Sequence, residues 1–198
     1  MEITSLIAVI TFAMVTAFTP GPNNLMLAAS GANFGFQRTL PHIAGITFGF
    51  SSVFVAAGFG LASIFAALPE LYNVLKVLSV LFLIYLAWRI GNAGRIERQE
   101  RDRPLNFIQA ALFQAVNPKG VSVIVSTLSA YTSDAGSLPS EIGVLVTVFV
   151  VMTIGATTSW CLFGTAITKI VNTRHKLRLF NVSMAILLVL SIIPIINT

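Results

Sequence analysis

Two short stretches hold the residue types that could do chemistry in this chain. The first reads Thr19-Pro20-Gly21-Pro22-Asn23-Asn24, and the second, about half a chain later, reads Gln114-Ala115-Val116-Asn117-Pro118-Lys119-Gly120. Each interrupts an apolar run that would otherwise form one helix, because a proline removes a backbone donor and frees a carbonyl. We therefore expect two helix breaks whose freed backbone groups face each other and form a transport site.

The first break suits a negatively charged group. The half-helix that begins at Pro22 presents N–H groups without intrahelical partners and a partial positive charge. A carboxylate or phosphate is stabilised at such a terminus, and Asn23 and Asn24 add side-chain amides. The alternative is a kinked packing helix in which the two asparagines satisfy the freed backbone.

The second break carries Lys119, the one charged residue near the middle of any predicted span. Burying a charge there costs from about 2.5 kcal/mol on insertion scales to far more in simulations, so a functional role is the default expectation. Lys119 could pair with a substrate carboxylate, or release its proton when the site is empty and act as the coupling group. The alternative is a span that lies lower, so that the lysine reaches an interface.

The composition requires that these stretches be positioned by membrane helices. The 198 residues are 56% hydrophobic and 10% charged, whereas ordinary soluble domains are roughly 25% charged. We predict an all-α integral membrane fold in one domain, 1–198, with the lipid bilayer as its solvent. Six apolar segments are expected at about 4–34, 40–68, 71–90, 105–131, 141–167 and 179–196, the first and fourth of them broken.

The connector charges predict the topology. Ten of the twelve basic residues follow the first, third or fifth segment, and the positive-inside rule places these connectors in the cytoplasm and both termini outside. We interpret the net charge of +5 as topology charge and expect no nucleic-acid partner. Three spans per half then predict two inverted repeats, at about 1–92 and 105–198, joined by a cytoplasmic connector at about 93–104.

Other residue classes exclude several functions. All seven acidic residues lie in a connector, at a terminus or at a span end, so no interior carboxylate is expected to hold a metal or relay protons. His42 and His175 are expected at the cytoplasmic edge, in interfacial or packing roles, and Cys161 as a packed apolar residue. No catalytic constellation or nucleotide-binding loop is recognisable, so we expect neither an enzyme nor a cofactor.

A series of small residues marks the second segment. Gly45, Gly49, Ser52, Ala56 and Gly60 recur at four-residue or nearly four-residue spacing, which lets helices approach closely in lipid. The series predicts close packing inside one subunit or, as the alternative, a homodimer interface.

The two breaks also carry a family resemblance. Phe18 to Asn24, followed by Gly35-Phe36, Arg38, Gly45 and Gly49, resembles the N-terminal signature of the lysine exporter and homoserine/threonine resistance family of bacterial amino-acid exporters, and Asn117-Pro118-Lys119 resembles its second motif. The chain length and the six-segment pattern are similar throughout. The Pro-Asn-Asn continuation is similar to the branch that includes cysteine and O-acetylserine exporters. The resemblance implies export from the cytoplasm across the bacterial inner membrane, driven by an ion gradient.

The leading hypothesis is a secondary exporter of small amino acids or their derivatives that works by alternating access, with a proton or sodium ion as coupling ion. Its substrate site would comprise Pro20, Gly21, Pro22, Asn23, Asn24, Asn117, Pro118 and Lys119. Lys119 would face the substrate carboxylate. Two alternatives remain at this point, a membrane scaffold or assembly subunit without transport activity and a metal-ion exporter of similar architecture.

Overall fold

The computed structural model describes residues 3–61, 69–92, 103–132, 138–170 and 173–193. Within these ranges the chain forms eight α-helices, and a kink at Ala57–Leu61, where Phe59 and Gly60 leave the helical conformation, follows the third. The helices are α1 Ile3–Phe18, α2 Pro22–Phe34, α3 Phe36–Ala56, α4 Pro69–Gly91, α5 Phe107–Val116, α6 Pro118–Tyr131, α7 Leu138–Ile170 and α8 Arg174–Leu190. The predicted all-α class is confirmed.

Both predicted interruptions are present. α1 and α2 are separated by residues 19–21 and bent by 52° relative to each other. Gly21 is the N-cap of α2, in an extended conformation, and Pro22 stands in the first turn. A proline is tolerated there because its missing N–H would have had no intrahelical partner. Asn117 ends α5 and caps α6 in the same way, followed by Pro118.

α2 lies at the centre of the fold. Ten of its 13 residues are buried, and it packs against α3, α7 and α8. The crossing with α7 depends on two glycines, since a Cβ on Gly31 would meet the Cys161 carbonyl and a Cβ on Gly164 would meet the Ala28 carbonyl. Because the backbones of α2 and α7 are in direct contact there, α2 is enclosed by its neighbours. Its N-terminal break lies at a pocket.

α3 packs against α5 through the first two members of the small-residue series. A Cβ on Gly45 would meet the Phe107 carbonyl, and one on Gly49 would meet the backbone of Ala111. Packing inside the chain is therefore confirmed for these two glycines. The homodimer stays a prediction.

The described helices include clear membrane-span candidates. By length and composition, Phe36–Gly60 and Leu138–Thr168 can each cross a membrane, and α1 with α2 makes a third candidate if the bent pair counts as one span. Val80–Gly91 and Phe107–Val116 are shorter apolar helices. The architecture is that of a multi-pass membrane protein, and the six-span inverted repeat stays a prediction.

Two helix starts differ by four or more residues from the sequence-based boundaries, and the others by three or fewer. α3 begins at Phe36, four residues early, because Gly35 adopts φ 79° and reverses the chain without a longer connection. Glycine takes this left-handed conformation without a steric penalty. α8 begins at Arg174, five residues early, because the Thr173 hydroxyl accepts a hydrogen bond from the Lys176 N–H at 3.3 Å. A threonine N-cap of this kind can start a helix among polar residues.

Candidate functional site

Both breaks open onto one pocket. Its empty volume is about 540 Å³, including the space at its open mouth. Six of the eight predicted site residues line it, namely Gly21, Pro22, Asn23, Asn24, Asn117 and Lys119, whereas Pro20 and Pro118 do not. The remaining wall comes from α1, α3, α6 and α7 and includes Thr16, Phe50, Phe149, Thr153 and Thr157. An apolar lining with a few polar groups is typical of small-molecule sites.

The carbonyls at the end of α1 are all supplied with donors. In a continuous helix, the carbonyls of Thr16 and Phe18 would bond the N–H groups four residues later, but those residues are prolines. The Thr19 hydroxyl donates to the Thr16 carbonyl at 3.0 Å, and Trp160 Nε1 donates to the Phe18 carbonyl at 3.1 Å. Asn24 Nδ2 donates to the carbonyls of Ala17 and Thr19, both at 2.8 Å.

This arrangement fixes the break, because buried backbone groups without partners would destabilise it. Asn24, which is 5% exposed, uses its amide donors in the way that the packing alternative expected. Its role in substrate binding stays a prediction. Trp160 was not predicted, and its partner lies 142 positions away, so no local pattern marks the pair.

Lys119, from the other half of the chain, also binds carbonyls at the first break. Its ammonium donates to the Thr19 carbonyl at 2.8 Å and to the Thr19 hydroxyl at 2.9 Å, and lies 3.5 Å from the Pro20 carbonyl. A helix C-terminus carries a partial negative charge that favours a cation. Two of the three donors of the ammonium are thus held by Thr19, and the third makes only the long contact to Pro20.

Asn23 faces a residue that sequence reasoning did not assign to the site. Asn23 Nδ2 donates to Gln114 Oε1 at 2.8 Å, and Gln114 Nε2 donates back to Asn23 Oδ1 at 3.2 Å. Gln114 is 1% exposed and also donates to the Ala110 carbonyl at 2.9 Å. A glutamine three residues before Asn117 on an apolar helix lies on the same face as Asn117. That spacing was the available signal.

Asn117 holds an acceptor without a partner. Its Nδ2 donates to Gln114 Oε1 at 3.2 Å, while its buried Oδ1 makes no hydrogen bond. Although Asn117 is the N-cap of α6, its side chain does not cap the helix. A buried polar atom left unpaired costs about 1–3 kcal/mol. A donor brought by a ligand would remove that cost.

The pocket therefore offers partners for both an anionic and a cationic group. The first turn of α2 has no side-chain cap, so its N–H groups and the Lys119 ammonium favour a carboxylate. The Asn117 Oδ1 acceptor favours an ammonium or hydroxyl. Phe50 and Phe149 supply apolar wall. The arrangement is complementary to a small zwitterion.

The matches to known proteins include both helix breaks and the residues that line the pocket. The family model described as LysE type translocator matches residues 14–192. The chain belongs to the LysE type translocator family. The cysteine/O-acetylserine efflux protein of Salmonella choleraesuis (strain SC-B67) is 28% identical over 181 residues, which cover 90% of this chain and 91% of that protein. The protein of the same name from Escherichia coli O1:K1 / APEC is 28% identical over 191 residues, 96% of each chain.

No solved structure matches this LysE type translocator. The family resemblance read from the two motifs is confirmed, and so is the expectation of a transporter in place of an enzyme. Family membership and the apolar helices together identify a multi-pass protein of the bacterial inner membrane.

Proposed function

We propose that this LysE type translocator exports small amino acids or close derivatives, of the kind that its cysteine/O-acetylserine efflux relatives are named for. The observation that carries the proposal is the single pocket onto which both helix breaks open. Its two kinds of polar group, donors at α2 and Lys119 and an acceptor at Asn117, are those that a zwitterion requires.

The substrate carboxylate would lie between the first turn of α2 and Lys119. The two short bonds of the ammonium to Thr19 aim it at the break. Its third donor, which makes only the long contact to the Pro20 carbonyl, would bind a carboxylate oxygen without breaking them. The substrate ammonium would bind Asn117 Oδ1. The substrate ammonium would thus pair the buried acceptor, and the substrate carboxylate would supply a counter-charge for the lysine.

Alternating access would use contacts that join distant parts of the chain. Lys119 and Thr19 are 100 positions apart, and Asn23 and Gln114 are 91 apart. In the predicted inverted repeat each pair joins one half to the other, so a ligand that binds beside these bonds acts where the halves meet. A substrate-binding site at broken helices between repeats is a common arrangement in secondary transporters. The proton or sodium gradient would drive export, with Lys119 as the titratable group at the site.

The test is uptake of radiolabelled cysteine, O-acetylserine and other amino acids into inside-out membrane vesicles. Lys119→Ala should lower the initial rate by about tenfold or more, because a hydrogen bond to a charged group contributes roughly 1.5–3 kcal/mol and 1.36 kcal/mol is a factor of ten. The matched control is Lys176→Ala, which removes an exposed lysine at the start of α8.

Wild-type rates in the Lys119→Ala protein, at equal membrane content, would refute the site. Proteoliposomes that contain the purified chain alone separate the exporter from a scaffold. Counterflow of any labelled amino acid supports export, and its absence across the whole panel supports the scaffold.

A further inference from the structure

A second pocket lies between α2, α3, α4 and residues 103–105. Its empty volume is about 480 Å³. His42, Arg89 and Arg103 are among the residues that line it, and none of them belongs to the central pocket. The sequence alone assigned His42 an interfacial or packing role.

His42 is a buried polar side chain without a partner. Its ring is 1% exposed, and neither Nδ1 nor Nε2 makes a hydrogen bond. A neutral imidazole presents one donor and one acceptor. Because buried polar side-chain atoms are almost always hydrogen-bonded, a ligand in this pocket would supply the partner that the protein does not.

The two arginines give the pocket its charge. Arg89 Nη2 donates to the Arg103 carbonyl at 2.8 Å, which ties the end of α4 to the segment before α5. The Arg89 guanidinium also lies 5.9 Å from the centre of the Tyr85 ring. Arg103 is exposed and is among the residues that line the pocket. A guanidinium presents a planar set of donors that matches the geometry of a carboxylate.

The two pockets follow each other along the same two helices. On α3, His42 lines the second pocket and Ile46 the central one. On α2, Met26 lines the second pocket and Pro22 the central one. Residues four apart share a helix face, at about 6 Å along the axis. On each helix the nearest lining residues of the two pockets are therefore one helical turn apart, and the second pocket lies at the arginine-bearing end.

We propose that this second pocket binds the carboxylate of the same small amino-acid substrates before they reach the central pocket. The inference rests on the proposed function. It places the first binding site for the substrate at the side of the protein that is predicted to face the cytoplasm. The carboxylate would bind Arg103 and Arg89, and His42 would bind a polar group at the inner end of the ligand.

The first experiment measures initial uptake of radiolabelled O-acetyl-L-serine into inside-out vesicles, which present the cytoplasmic face to the medium. Arg103→Gln should raise the half-saturating concentration about three- to tenfold and leave the maximal rate within about twofold, since one partly solvated charge contact is lost. It keeps the backbone carbonyl that Arg89 binds, so folding should not change. Arg178→Gln, an exposed arginine on α8, is the matched control and should have no effect.

The second experiment counts binding sites on the purified proteins with tritiated O-acetyl-L-serine. Wild type should bind two molecules per chain, and Lys119→Ala should retain one. Adding His42→Asn or Arg103→Gln to Lys119→Ala should weaken the binding of that remaining molecule. Absence of binding to the Lys119→Ala protein, or equal affinity after Arg103→Gln, would overturn the second site. Failure of the proposed function is a different result, namely no vesicle uptake by wild type whatever the number of bound molecules.

Discussion

Adding one methyl group at Gly21 should disturb the lysine without disturbing the fold. A Cβ built on Gly21 would lie 2.8 Å from Lys119 Cδ and 3.1 Å from Nζ, and its three nearest atoms all belong to this side chain. Gly21 has φ −175° and ψ 176°, an extended conformation that alanine also adopts. In Gly21→Ala the flexible lysine stem is therefore the part that must move.

The size of the displacement follows from contact distances. Carbon atoms prefer about 3.5–4.0 Å, so the stem must withdraw by roughly 0.7–1.2 Å. The Nζ–O distance to Thr19, now 2.8 Å, would then exceed the usual limit of about 3.2 Å for such bonds. Losing a hydrogen bond to a charged group costs roughly 1.5–3 kcal/mol. Because Lys119 is partly exposed, we expect the loss to be about 1–1.5 kcal/mol, which raises the half-saturating substrate concentration about 5- to 13-fold.

Two measurements on the same preparation test this reasoning. Initial uptake of radiolabelled substrate into inside-out vesicles gives the half-saturating concentration, and thermal unfolding in detergent gives stability. Gly143→Ala is the matched control, because a Cβ there has no heavy atom within 4 Å. Stability of Gly21→Ala should fall by no more than about 1.5 kcal/mol, the contribution of the hydrogen bond that is lost. An unchanged half-saturating concentration would show that the position of the ammonium is irrelevant to transport.

Two further predictions concern the framework around the site. Gly164→Ala forces a Cβ against the Ala28 carbonyl. Because a backbone carbonyl cannot withdraw as a side chain can, the substitution should destabilise the protein by about 1–3 kcal/mol and lower its Tm. An unchanged Tm would mean that α2 and α7 separate at little cost. Asn23→Leu and Gln114→Leu should each remove both hydrogen bonds between the two side chains. The double variant should therefore lose less stability than the two singles combined, with a coupling free energy of about 0.5–3 kcal/mol in denaturant unfolding. Simple additivity would contradict the paired geometry.

The helix breaks were predictable because proline chemistry is local. A missing N–H interrupts a helix whatever surrounds it, so the interruptions at Pro22 and Pro118 appear where the sequence indicated. The family followed from the same residues. Partners drawn from distant positions were not predictable, since Gln114 and Trp160 join the first break across 91 and 142 positions. The sequence predicted that the two breaks face each other, but proline chemistry does not specify which side chains form hydrogen bonds across them.

One boundary error also hid a feature of the fold. With α3 expected to begin at residue 40, His42 stood near the membrane edge. Gly35 allows α3 to begin at Phe36, which moves His42 into the second turn of the helix, where it is fully buried. The conformation of one glycine thus decided whether a titratable side chain was seen as peripheral or as part of a cavity.

The contact between Lys119 and the Thr19 carbonyl has a consequence for mutational scanning. A backbone carbonyl belongs to no side chain, so replacing Thr19 by alanine removes the hydroxyl at 2.9 Å but leaves the carbonyl at 2.8 Å in place. The same holds for the N–H groups at the start of α2. A scan that replaces one side chain at a time will therefore assign little importance to Thr19, although its carbonyl holds the lysine at the site.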